Sequence, residues 1–286
     1  MNNMEMREIK DHWTDWATTY GEQLKATTKT PTIKELEIDV LARAITQVIG
    51  TTQASFTMLE VGCGNGLNCM ALAQIFPNAR IDGLDYVPEM VEAAEAGNAK
   101  FRHSKNLRFH VGNALNLSAT SELREVYDIV LTDRCLINLN TIELQKKALV
   151  SIARKIKRGG HFAMLENSLQ TYEAQNECRA LLGMKPRTPA LYNLFIDEKE
   201  IVPHLDTCGL DLIDVEDFGS LHDLLLYVLL PFTNSGEVDY AHPLVKAATM
   251  LSKHTSQTTP SAFGRFGQNR LYLCRKTSSG VHKEHE

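Results

Sequence analysis

The feature that most restricts this chain is Leu59-Glu60-Val61-Gly62-Cys63-Gly64-Asn65-Gly66, where an apolar run meets three closely spaced glycines and passes at once into the helical pattern Leu67–Phe76. A strand that turns into a helix through such a loop needs positive φ or a backbone pressed against a ligand, and a Cβ obstructs both. The N-terminus of the following helix then offers free N–H groups to an anionic part of that ligand. With glycines at 62, 64 and 66, Leu67 stands where a dinucleotide fingerprint requires its third glycine, so a nicotinamide oxidoreductase is not the expected reading.

The surrounding pattern supplies the layers for such a turn. Apolar runs Phe56–Val61, Arg80–Asp85, Leu107–Val111, Tyr127–Thr132 and His161–Glu166 read as strands, separated by helical periodicity over Leu67–Phe76, Pro88–Asn98 and Asn140–Ile156. Asn140 with Glu143 forms a box at the start of the last of these helices, and Gly159-Gly160 is expected to close it. Alternating strands and helices predict an α/β fold, a doubly wound and mostly parallel sheet with ligands at the carboxyl ends of the strands. Before it, Thr32 and Glu35 form a capping box for a helix whose face Ile33, Leu36, Val40, Leu41, Ala44 and Ile45 packs on the sheet. Residues 1–50 are expected to be an N-terminal helical cap and 51–276 the main domain. An insertion at 219–268 precedes the closing strand Arg270–Arg275, which pairs antiparallel with Leu210–Phe218, and 277–286 reads as a solvated tail.

Composition narrows the class. The 286 residues are 43% hydrophobic, ample for a core, and the net charge of −5 with mixed signs provides no basic stripe for nucleic acid. Six scattered cysteines without a C-x-x-C pair point to a reducing compartment and to no metal site. The polar N-terminus lacks a secretory pattern, and the longest apolar run, Leu221–Phe232, is too short to span a bilayer, so a cytoplasmic protein is expected. Within that run Leu224–Leu230 reads as core, as a homodimer surface or as a wall for a lipid-linked acceptor.

The second strand ends at Asp85, about 20 residues past the glycine turn, the separation at which a carboxylate grips a ribose diol; Asp82 is read as an in-strand residue. From Leu59 to Glu166 the chain resembles the class I S-adenosylmethionine-dependent methyltransferases, through the glycine turn, Asp85, Gly112-Asn113-Ala114 after the third strand and Tyr127-Asp128-Ile129-Val130 entering the fourth. The resemblance implies a Rossmann-like, seven-stranded sheet with its last strand antiparallel, and S-adenosylmethionine as cofactor. It implies further that Glu60 lies near the methionine amino group, that the helix N-terminus receives its carboxylate, and that Asn113 contacts the adenine where the family commonly has an acid. The expected cofactor set is Tyr20, Glu60, Gly62, Cys63, Gly64, Asn65, Gly66, Asp85, Tyr86, Met90, Gly112, Asn113, Ala114 and Asp133.

Methyl transfer to an oxygen is mainly a matter of alignment, worth roughly 7–11 kcal/mol, to which a general base adds about 10²–10⁴-fold. Candidates for the acceptor end follow the fourth and fifth strands. Arg134 reads as a holder of an anionic acceptor such as a phosphate or uronate, or as a salt-bridge partner. Asn138 orients a hydroxyl or caps a loop, and Glu166 is the leading general base against a structural hydrogen-bonding role. Trp13, Trp16 and Tyr20 suit a lid, and Tyr192-Asn193 suits a sugar or a packed loop. The order of these later pieces is similar to methyltransferases of bacterial polysaccharide clusters, which implies O-methylation of a sugar, glycan or other small molecule. N- or C-methylation and cofactor binding without turnover are the alternatives.

Overall fold

The computed structural model describes residues 4–28, 30–101, 104–258 and 263–277; the expected tail beyond 277 lies outside them. Its centre is a seven-stranded sheet in the order β3-β2-β1-β4-β5-β7-β6. The strands are β1 (Thr57–Val61), β2 (Arg80–Asp85), β3 (Leu107–Val111), β4 (Tyr127–Asp133), β5 (Ile156–Asn167), β6 (Leu210–Glu216) and β7 (Asn269–Lys276). Pairings from β3 through β5 are parallel, whereas β7 runs antiparallel to both β5 and β6. Sequence order reverses between β1 and β4, which opens the ligand crevice of such sheets at their carboxyl ends.

Both faces are covered, which is why the central strands are apolar on both sides. One layer holds α2 (Pro31–Ile49), α3 (Leu67–Ile75) and α4 (Pro88–Ala99), joined through Leu41, Ile45, Leu72 and Val91 to Met58, Ile81 and Leu131 of the sheet. The other holds α5 (Ile142–Arg154) and α7 (Glu198–Thr207), whose Leu149, Ile152, Ile201 and Leu205 meet Leu59, Val130 and Phe162. The helix α2 is therefore a core layer, while α1 (Met6–Tyr20) lies across the carboxyl edge. Helix α6 (Leu169–Leu181) follows β5, with Ser168 as its N-cap.

Three local expectations are corrected. Helix α2 starts with Thr30 at the N-cap and Pro31 in the first turn, so Thr32 makes no capping box; its Oγ1 meets His222 Nε2 at 3.0 Å. Helix α5 is capped by Thr141, whose Oγ1 accepts from Leu144 N at 3.1 Å, while Asn140 Nδ2 donates to Met4 O at 3.0 Å. Gly159 and Gly160 do not close α5, which ends at Arg154; they lie inside β5. While β4 advances from Tyr127 to Ile129, β5 advances from Ile156 to His161, and a Cβ on Gly160 would stand 2.7 Å from Asp128 O. The glycines thus serve a bulge where two backbones approach closely.

Between β6 and β7, residues 220–233 and 243–258 are helical. The pieces α8 (Ser220–Leu224), a π-helical turn Leu225–Leu229 and α9 (Leu230–Thr233) run on without a break, and α10 (Pro243–Thr258) rests on α2 and α8. In the apolar run, Leu226 and Val228 are buried and Tyr227 reaches the crevice. No described helix is long and apolar enough to cross a membrane.

Candidate active site

At the carboxyl edge a cavity of about 700 Å³ lies between the glycine turn and α1. Its floor follows from the turn's geometry. Gly62 (φ 77°) and Gly64 (φ 53°) occupy the left-handed region, and a Cβ on Gly62 would stand 2.5 Å from Cys135 Sγ, one on Gly64 2.6 Å from Thr27 Cγ2. The loop after β4 and the segment after α1 therefore both close on glycine backbone. Asp85 fixes the turn from the side: its Oδ2 accepts from Gly64 N at 2.8 Å and its Oδ1 from Val87 N at 2.9 Å. Burial lifts the Asp85 carboxyl above the ordinary range, opposed by those N–H groups.

Of the expected cofactor residues, Glu60, Gly62, Cys63, Gly64, Asn65, Asp85, Tyr86, Met90, Gly112, Asn113, Ala114 and Asp133 line this cavity. Tyr20 and Gly66 do not. Tyr20 packs edge-on against Trp16 with centroids 5.7 Å apart, and Gly66 faces the Phe109 ring, 2.8 Å from where its side chain would begin. Asn113 also departs from its expected part, because its Oδ1 accepts from Leu115 N at 2.9 Å and caps its own turn. Asn65 does two things. Its Nδ2 donates to Gly21 O and Gln23 O at 2.9 and 3.0 Å, clasping the end of α1, while its Oδ1 is buried without a hydrogen bond among the described residues. A buried acceptor left bare in a cavity wall is the type of atom that a ligand donor satisfies.

The deeper floor is a charge network that the sequence did not reveal. Lys34 Nζ lies 2.6 Å from both Glu37 Oε2 and Asp133 Oδ2, with Asn68 Oδ1 at 3.2 Å. Arg134 Nε lies 3.1 Å from Glu37 Oε1 and 3.4 Å from Asp133 Oδ1, so two cations face two carboxylates. Burial pushes Asp133 upward, but Lys34 and Arg134 outweigh it and hold the carboxyl down at about 2. Glu60, accepting from Asn68 Nδ2 at 2.8 Å and from Cys69 Sγ at 2.9 Å, is instead raised by burial to about 7. The one sequence mark for Lys34 was ambiguous: Lys34 and Glu37, opposite charges three apart, sit beside Ile33, Leu36 and Val40 on the helix face turned to the sheet, a pattern that a solvated pair also gives.

The acceptor candidates are placed differently from one another. Arg134, at φ 55°, lines the cavity but gives its charge to Glu37 and Asp133, the salt-bridge reading. Asn138 donates to Arg134 O at 2.8 Å and accepts from Trp13 Nε1 at 3.1 Å, which ties α1 to the loop after β4. Glu166 does not line the cavity, contrary to its expected part as base: it is buried under the loop and accepts from the N–H groups of Cys135, Leu136 and Ile137 at 3.1, 3.0 and 3.3 Å. The loop's shape follows from that carboxylate filling a nest of backbone donors.

Burial raises Glu166 to about 7 against the pull of those N–H groups. A carboxyl raised from its ordinary 4.5 contributes stability that is complete below that value and is lost as pH climbs toward about 7. Glu166→Gln is expected to flatten the fall in urea midpoint across this window, leaving the part due to Glu60. A slope equal to the wild type's would remove Glu166 as the titrating group.

The roof and far wall complete the site. Helix α1 begins with a reciprocal box in which Glu5 N donates to Glu8 Oε2 at 2.7 Å, and it turns Ile9, Trp13 and Trp16 to the cavity. His12 stacks on Tyr192 at 4.2 Å, joining the roof to the far wall, where Tyr172, Arg187, Tyr192, Asn193, Tyr227 and Tyr240 gather. Arg187 was not foreseen; the only sequence mark was a cation between two prolines in Pro186-Arg187-Thr188-Pro189.

Comparison with known proteins agrees with this geometry. Residues 53–202, more than half of the chain, match the model of a methyltransferase-domain family. A malonyl-[acyl-carrier protein] O-methyltransferase of Paenibacillus sp. (strain JDR-2) is 25% identical over 149 residues, 51% of this chain and 52% of that protein, so the chain spans about half that relative's length. The structure of a putative sarcosine dimethylglycine methyltransferase from Galdieria sulphuraria superposes with TM-score 0.56 at 15% identity, covering 94% of this chain and 99% of that one. That of geranyl diphosphate C-methyltransferase from Streptomyces coelicolor A3(2), with S-adenosyl-L-homocysteine, gives TM-score 0.51 at 13% identity over 83% of this chain and 76% of that one. At such identities the structural likeness concerns the fold. With the family match over 53–202, it establishes that this chain belongs to the methyltransferase-domain family and is an enzyme of the class I, Rossmann-like fold.

Proposed function

We propose that the chain uses S-adenosylmethionine as methyl donor and O-methylates a small molecule, a hydroxylated or acidic compound of the size of a sugar. The observation that carries this reading is the bare Asn65 Oδ1 in a cavity that also presents the glycine turn, Glu60 and Asp85. Asn65 Oδ1 and Glu60 suit the ammonium of the donor's methionine part, the N-terminal turn of α3 its carboxylate, and Asp85 its ribose hydroxyls. When bound, the donor would supply a carbon activated by a sulfonium: the acceptor oxygen would bond to it as the C–S bond breaks with its electrons left on sulfur, and a hydroxyl acceptor would release its proton to water. The protein's own part is alignment and exclusion of water, by Trp13 and Trp16 from above and by the loop that Glu166 holds from the side.

Relatives support the chemistry more than the acceptor, since their names range over a malonyl-acyl carrier, a release-factor glutamine and arsenite. The tyrosines and Asn193 of the far wall favour a small polar ring over a long chain. Calorimetry with S-adenosylhomocysteine and with NAD tests the donor: micromolar binding of the first and none of the second is expected. Preference for NAD would return the nicotinamide reading.

A further inference from the structure

The cations deep in the site differ in what neutralises them. Lys34 and Arg134 share Glu37 and Asp133. Arg187, in the far wall, is paired with no carboxylate among the described residues: Nη1 donates to Gln175 Oε1 at 2.8 Å, Nη2 to Gln268 Oε1 at 3.1 Å, the guanidinium stacks 3.5 Å over the Tyr227 ring, and its charged neighbour Arg179 carries the same sign. Asp223, an acid lining the same cavity, is turned elsewhere, accepting from Gln268 N at 2.6 Å and paired with His222 Nδ1 at 2.8 Å.

Arg187 is also unusually well held for a loop residue. Its backbone N–H donates to Asn176 Oδ1 at 2.8 Å and its carbonyl accepts from Asn176 Nδ2 at 3.0 Å. Two amide oxygens and a ring fix the plane of the guanidinium while using two of its five N–H donors. A preorganised fork with spare donors and no counter-ion among the described residues, in a cavity wall, is the arrangement that recognises a carboxylate or phosphate.

A second, independent observation concerns proton removal. No histidine is among the described residues that line the cavity. Glu166 faces the loop, Asp133 at about 2 is too weak a base, and Glu60 lies under the glycine turn bonded to Asn68 and Cys69. A site without a placed base suits a nucleophile that arrives already ionised.

We infer that the acceptor is an anionic small molecule, a carboxylate or phosphate compound whose charged group sits on Arg187. This rests on the methyltransferase reading and moves to Arg187 the anion-holding part that the sequence offered to Arg134. The methyl-transfer step is the one given above; where the nucleophile is the anionic oxygen itself, a carboxylate gives a neutral methyl ester and a phosphate a methyl ester that keeps a negative charge.

The test uses the full chain and tritiated S-adenosylmethionine, with a small-molecule extract of the encoding organism split on an anion-exchange resin into retained and unretained fractions. Label is expected to enter the retained fraction. Arg187→Gln should raise KM for it by roughly 10- to 100-fold with kcat little changed, and Arg187→Lys should fall between. Binding of S-adenosylhomocysteine should be the same in all three proteins, which a merely structural role would not spare. A labelled product that leaves the resin marks esterification of a single carboxylate, and one that stays marks methylation of a phosphate oxygen or elsewhere on an anionic acceptor. Label entering only the unretained fraction, or equal KM in wild type and Arg187→Gln, overturns the inference while the methyltransferase reading stands. Absence of label from both fractions, or of donor binding, counts against that reading itself.

Discussion

Asp85→Ala is expected to weaken S-adenosylhomocysteine by 100-fold or more, the largest effect on ligand binding that any single change in this site should produce. Charge-assisted hydrogen bonds to two ribose hydroxyls contribute about 1.5–3 kcal/mol each, which converts to roughly 10²–10⁴-fold in affinity. The carboxylate also accepts from Gly64 N and Val87 N, so its loss releases the glycine turn that has to receive the rest of the donor. Asp85→Asn separates the two contributions, since its amide oxygen can still take one backbone N–H while the charge is gone; an intermediate loss is expected. Calorimetry reads both, with a thermal melt to show that the chain is folded. Unaltered affinity in folded Asp85→Ala would dispose of the ribose assignment.

The largest effect on stability should come from Lys34→Met. That change leaves Glu37 and Asp133, both buried, with Arg134 as their remaining cation. Removing one partner from a buried ion pair typically costs about 3–5 kcal/mol because a charge is stranded in low dielectric, and Arg134 places the expected value toward the lower end. The pH dependence sharpens the test. Asp133 is held at about 2 against an ordinary 3.8, so it contributes stability that is present above 3.8 and lost as pH falls toward 2. In Lys34→Met that acid-side loss should shrink, because the cation that holds the carboxyl down is gone. Urea unfolding at pH 7 and pH 3 measures both quantities, and a cost below about 1 kcal/mol at pH 7 would show that the network is not electrostatically isolated.

What the sequence disclosed, and what it withheld, divides along contact distance. The donor half of the site is written locally: Leu59–Gly66 and Asp85 lie on adjacent strands paired through Val61 and Leu84, and hydrophobic period alone orders those strands. The carboxyl tips of β1 to β5 were legible to within a residue and that of β6 to within two, yet the direction of a side chain at a tip was not. Glu166 stands one residue before the end of β5, but the three N–H groups it serves belong to residues 135–137, and only the parallel pairing of β4 with β5 brings them over it. The same is true of Asn113, whose oxygen is claimed by its own turn. The half proposed for the acceptor joins Trp13, Asn138, Arg187 and Tyr227, residues far apart in the chain with no spacing rule to connect them. Lys34 was hidden for another reason: a charged pair on an apolar helix face reads as a solvated edge unless something opposite it is known to be charged, and here that is Asp133.

The chain has two tryptophans in 286 residues, and both Trp13 and Trp16 line the underside of α1. Trp13 is bonded through its indole N–H to Asn138, and His12 lies against Trp16 with ring centroids 4.6 Å apart. The tryptophan fluorescence of the chain, excited apart from that of its eight tyrosines, is thus emitted from one helix over one cavity. A change in that emission on adding a ligand reports the roof alone, undiluted by signal from the rest of the molecule, and gives a stopped-flow handle on closure that needs no label.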